Sequence, residues 1–222
     1  MVLVDGLGFN IDSVKAPKNY RPPNPIITFV LNLLLIALFS TFVFVAVNLP
    51  AYYSILKYHI NPRSVAIESP AMPSSDQDKP VIQMENDTLI ISKIGVNVPV
   101  KWDVPPDEIM SSLEKGVVQI EGTGKPGEGK NIFITGHSSN YWWKEGDYNA
   151  IFALLPQLTA GDEIYAVRSG KINKYIVDET QEIDRKEVSK FIDSDGEKLT
   201  LMTCFPIGTN LRRLLVIASP SQ

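Results

Sequence analysis

From Ile26 to Leu49 the chain runs for 24 residues without a charged side chain, in a composition dominated by Leu, Val, Ile and Phe. At about 1.5 Å of rise per residue, a helix of that length matches the roughly 30 Å hydrocarbon core of a bilayer. A removable signal peptide has a shorter apolar region, of about 7–15 residues, followed by a small-x-small cleavage site. Leu49-Pro50-Ala51 makes a poor one. The run therefore predicts an uncleaved, single-pass transmembrane anchor over residues 26–49. Lys15, Lys18 and Arg21 precede it, and Lys57 and Arg63 follow it. This slight basic bias predicts a cytoplasmic N-terminus and a C-terminal domain on the far side of the cell membrane. Tyr52, Tyr53 and Tyr58 are expected in the outer interfacial belt, where amphipathic rings are favoured.

With the anchor set apart, the remainder divides by composition. Residues 1–25 form a polar cytoplasmic head that ends in Arg21-Pro22-Pro23-Asn24-Pro25. Residues 50–87 read as a juxtamembrane segment and linker. At its centre Ser69-Pro70-Ala71-Met72-Pro73-Ser74-Ser75-Asp76 lacks the apolar surface that would offset the entropy of ordering it. Residues 88–222 form the folded domain. The net charge of −4 offers no concentrated basic surface, so nucleic acid is not expected as a partner. The single cysteine, Cys204, cannot close an internal disulfide, and the domain must be held by its core.

Within that domain Thr88–Lys93 and Val96–Lys101 read as strands joined by a tight turn at Gly95-Val96-Asn97. Pro105-Pro106-Asp107-Glu108 opens a short helix that runs to Lys115 and stops at Gly116. Asn131–Thr135 is an apolar strand, and Ile151, Leu154 and Leu155 form a short helical stripe within 148–158. Residues 163–168, 172–178, 198–203 and 211–217 are further β-rich runs. Short strands at this spacing predict an all-β domain with short helices, a sandwich or small barrel.

The chemistry concentrates at one strand end. Leu199-Thr200-Leu201-Met202-Thr203-Cys204 is an apolar run that delivers a thiol just before Phe205-Pro206, and a proline ends a ladder. A free cysteine is most often a packing residue. A packing residue belongs in mid-strand, whereas a nucleophile belongs at a rim. Nine positions on, Arg213 enters Leu214-Leu215-Val216-Ile217, and two β-runs around Pro206–Asn210 can pair to set it beside Cys204. An arginine entering an apolar strand is costly unless its charge meets a partner, while Arg212 reads as a strand-end residue pointing into water. The chain has two histidines, and His59 lies just past the apolar run. Any Cys/His pair in the domain therefore uses His137, which follows the strand Asn131–Thr135 and Gly136. An imidazole beside a thiol can take its proton and pass it to an amine leaving group. Gly124-Lys125-Pro126-Gly127-Glu128-Gly129-Lys130 matches the spacing of a phosphate-binding loop. Asn131 stands where that loop needs Ser or Thr, and a strand follows in place of a helix, so it reads as a glycine-rich turn.

Thr200-Leu201-Met202-Thr203-Cys204 resembles the TLxTC signature of sortases, the transpeptidases that attach proteins to cell walls or polymerise pilins. Thr135-Gly136-His137 is similar to their TGH segment, and 89–100 to their first hairpin. Pro206-Ile207-Gly208-Thr209-Asn210 and Arg213-Leu214-Leu215-Val216 resemble the strand that carries their arginine. The resemblance covers about 88–219 and implies a closed eight-stranded β-barrel behind one transmembrane helix. It implies that Cys204 attacks the Thr–Gly bond of an LPxTG-like sorting signal, with His137 as acid/base and Arg213 on the substrate or oxyanion. The partners it implies are surface proteins with C-terminal sorting signals and an amine acceptor on peptidoglycan or a pilin. Thr203 and Trp142 are candidate substrate-binding residues, Trp142 within the aromatic run Tyr141-Trp142-Trp143. No metal ligand or cofactor is assigned. The calcium site of some sortases does not carry over residue by residue, which leaves calcium activation open. Two other readings stay beside this one: a cysteine hydrolase of similar peptides, and a non-catalytic anchored β-domain that binds surface proteins.

Overall fold

The computed structural model describes residues 24–70, 87–141, 143–192 and 196–221. The head through residue 23, linker residues 71–86 and Trp142 lie outside them. The described residues fall into two compact units, divided between Phe42 and Val43. The first contains most of α1 (Pro25–Val47), which is capped by the Asn24 side chain accepting from the Ile26 amide at 3.0 Å. α1 buries none of its residues and is long and apolar enough, by length and composition, to cross a membrane.

In the second unit eight strands close into a barrel in the order β1-β2-β3-β4-β7-β8-β6-β5. They are β1 (Thr88–Ile91), β2 (Val96–Val104), β3 (Val117–Ile120), β4 (Ile132–Thr135), β5 (Glu163–Arg168), β6 (Lys171–Asp184), β7 (Leu199–Phe205) and β8 (Arg212–Pro220). Pairing of β1 with both β2 and β5 leaves no free edge there. Along β2, Val96, Val98 and Val100 turn inward while Asn97, Pro99 and Lys101 face out, the period-two pattern of a wall with one wet side. β4 is buried on both faces. Its inner residues Ile132 and Ile134 join the main core. Phe133 faces outward with Leu215 and Ile217, under Phe191 and Ile192 of α4 (Ser189–Ile192). That double cover is why Ile132–Ile134 reads as an unbroken apolar run.

The structure adds elements that the sequence hides. Residues 49–60 form α2 (Leu49–Ile60), and its Ile55 and Tyr58 pack against the main core. Tyr58 thus lies against the barrel. The chain stays attached beyond α2, with the Ile67 amide donating to the Ser92 carbonyl at 3.0 Å. The helix expected to run to Lys115 narrows to α3 (Ile109–Ser112), and 148–158 is a series of turns ending in a 3-10 turn at Leu155–Gln157. The glycine-rich turn before β4 has its own anion. The Glu197 carboxylate accepts from the Gly127 and Gly129 amides, both at 3.1 Å, and from the Tyr175 hydroxyl at 2.9 Å.

Candidate active site

β7 and β8 are antiparallel neighbours, and their register sets Cys204 directly opposite Arg213. Directly paired residues carry their side chains on the same face of the sheet. β4 lies on the other side of β7 and runs parallel to it, with Thr135 beside Met202. Parallel strands bring equivalent ends together, so His137, two residues past Thr135, and Cys204, two past Met202, emerge at one end of the barrel. All three side chains line a cleft of about 460 Å³. Ile109, Met110 and Leu113 from the α3 region supply an apolar flank, and Gly208–Asn210 of the β7–β8 loop supply a polar rim. Asn48, between α1 and α2, also lines the cleft and is itself buried.

Local packing holds each part. Gly136 must be glycine, because a Cβ there would stand 2.6 Å from the Phe152 ring and 3.0 Å from Val117. The Phe152 amide donates to the His137 carbonyl at 2.9 Å, which pins the histidine backbone as well. The Thr203 hydroxyl donates to the Gly136 carbonyl at 2.8 Å. Thr203 is almost fully buried, and although it lines the cleft its hydroxyl is committed to the His137 strand. Thr200 is likewise tied, donating to Asn131 Oδ1 at 2.9 Å, while Asn131 Nδ2 reaches the Phe191 carbonyl at 2.7 Å. Both threonines of the TLMTC run thus anchor β7 to the segment around β4.

Burial lowers the pKa of the His137 imidazole below its ordinary 6.5, and the Glu114 carboxylate opposes this more weakly. The ring is therefore neutral at pH 7 and free to accept a proton. The Cys204 thiol donates to Asn210 Oδ1 with S···O 3.8 Å. Arg213 is half-buried, donates from Nη1 to the Arg212 carbonyl at 3.0 Å, and makes no ion pair among the described residues. Arg212 points to solvent and pairs with Glu182 at 3.0 Å. The cleft thus brings together a thiol, an imidazole and a guanidinium that has no ion-pair partner among the described residues, groups that between them can form and break an acyl bond on sulfur. No group of three or more His, Cys, Asp or Glu residues able to hold a metal ion occurs among the described residues.

Sequence reasoning did not single out Asn210, Ser139 or Gly136 as site residues. Tyr141 lines the cleft and stacks on Trp143, with ring centroids 4.8 Å apart. The candidate Trp142 between them lies outside the described residues.

The model of the sortase domain family matches residues 89–221. Sortase A of Listeria monocytogenes is 26% identical over 166 residues, covering 74% of this chain and 61% of that protein. Among solved structures, sortase C-1 of Actinomyces oris superposes with a TM-score of 0.53 at 25% identity, covering 76% of this chain and 83% of that one. A Clostridium perfringens sortase D5 transpeptidase gives a TM-score of 0.51 at 25% identity, with 62% and 79% covered.

Proposed function

Since the chain belongs to the sortase family, we propose that it is a membrane-anchored cysteine transpeptidase that transfers surface proteins or pilins onto an amine. The observation that carries this reading is the Cys204–Arg213 register, with His137 delivered to the same cleft by the parallel partner strand. In the first step neutral His137 takes the Cys204 proton, and the sulfur attacks the Thr carbonyl of an LPxTG-like sorting signal. Arg213 stabilises the oxyanion. His137 returns the proton to the departing Gly amine, and a thioester remains on Cys204. An amine on peptidoglycan or a pilin then attacks the thioester; the C–N bond forms and the C–S bond breaks. The attacking nitrogen gives up its proton to His137, which restores it to sulfur.

α1 supports a tether in the cell membrane, with the barrel on the outer side as the flanking basic residues suggest. Intact mass of the full chain incubated with a sorting peptide tests the reading. A thioacyl adduct on Cys204 that an added amine converts to a ligated product is expected. Hydrolysis alone with every amine tried would leave a cysteine hydrolase, and an unchanged Cys204→Ala variant would leave a binding domain.

A further inference from the structure

The β7–β8 loop is braced by the segment that follows His137, by the end of α1 and by its own backbone. Gly208, at φ +77°, donates its amide to Ser139 Oγ at 2.9 Å, two residues past His137. A Cβ at Gly208 would stand 2.8 Å from the Phe44 ring and 2.9 Å from the Asn48 carboxamide, so the loop is also packed from behind. The Thr209 amide and hydroxyl both donate to the Pro206 carbonyl, at 3.0 and 2.7 Å. These contacts fix Asn210, the next residue, at the mouth of the cleft, where its Oδ1 receives the Cys204 thiol.

Acylation removes that donor. A thioester sulfur carries no hydrogen, so the donor given up to His137 does not return while the acyl enzyme lasts, and the Asn210 oxygen stands as an open acceptor beside the reacting atoms. An attacking amine brings N–H donors to the same place. Resting on the transpeptidase reading, we propose that Asn210 is a further catalytic residue, which accepts a hydrogen bond from the incoming amine and aims its lone pair at the thioester carbonyl. The bond-making step is the one given above: C–N forms, C–S breaks, and the remaining N–H proton passes to His137. Asn210 holds a second N–H and exchanges no proton.

The test separates the two half-reactions. Full chain and its Asn210→Leu and Asn210→Asp variants are incubated with a sorting peptide and a glycine-based amine, and ligated and hydrolysed products are measured along with the Cys204 adduct by mass. Leu removes the acceptor at similar size, and Asp keeps it. The expected result is a ligation-to-hydrolysis ratio about tenfold lower in Asn210→Leu, the loss of one hydrogen bond in a transition state, with near-normal partitioning in Asn210→Asp. The role is overturned if both variants form the adduct and partition as the unaltered chain does, or if Asn210→Asp partitions like Asn210→Leu. It is also overturned if Asn210→Leu slows adduct formation while leaving the ratio intact, since Asn210 then serves the resting thiol. Absence of an adduct in the unaltered chain overturns the transpeptidase reading and this role with it.

Discussion

The Thr203 hydroxyl donates to the Gly136 carbonyl across 2.8 Å, so the residue before the thiol holds the residue before the imidazole. The bond is buried, and neither partner has water to replace the other. Thr203→Val keeps the shape but strands the Gly136 carbonyl, at a cost of about 1–3 kcal/mol. A lowered Tm and slower Cys204 acylation are expected, and Thr203→Ser should restore both. A Val variant as stable and as active as the unaltered chain would show that the brace contributes nothing.

Gly136→Ala pushes a methyl group into the Phe152 ring. Overpacking of this kind costs roughly 1–3 kcal/mol. Pairing it with Phe152→Leu, which clears the space, should recover part of the loss in a double-mutant cycle of thermal unfolding. Simple additivity would place the strain elsewhere.

Arg213→Lys preserves a positive charge but not the planar fork of donors. Because Arg213 makes no ion pair among the described residues, stability should be nearly unchanged while acylation falls about 10²-fold, the scale for losing an oxyanion donor. Acylation kinetics beside a melting curve read the two effects separately.

The burial that lowers the His137 pKa has a stability signature. Below about 6.5 the unfolded chain takes up a proton that the folded one resists, so stability is lost as pH falls from there through the folded-state value. Denaturant unfolding from pH 8 to pH 5 should therefore show a steeper acid loss in the unaltered chain than in His137→Gln. Parallel curves would mean that the imidazole is no harder to protonate in the folded state.

Glu197→Ala leaves the Gly127 and Gly129 amides and the Tyr175 hydroxyl without their common acceptor. A loss of about 1–3 kcal/mol is expected in urea unfolding. ATP added to the unaltered chain should not shift its Tm, because the carboxylate already fills the seat a phosphate would need. A saturable rise in Tm with ATP would contradict that assignment.

Much of the site was legible because it lies in strand ends and in rare residues. With one cysteine in the chain and a single histidine in the domain, the pair had no competitors. The Cys204–Arg213 register followed from two apolar runs around a short loop. β3 was harder to see: four residues long and nearly all buried, it has no alternation to read. The second half of β6, Glu179–Asp184, is mostly exposed and polar, and only its pairing with β8 makes it a strand. Asn210 was invisible as a site residue for another reason. It lies in a loop, and its position depends on Ser139 far away in sequence.

α2 also bears on where the chain can be cut. Its Ile55 and Tyr58, with Val65 just beyond, cover apolar side chains of the barrel core. A shortened chain starting at Thr88, the first strand residue, would keep every strand yet expose that surface to water. Oily patches of this kind drive self-association. A stable soluble fragment should therefore begin at the start of α2, carrying its own cover with it and leaving α1 behind.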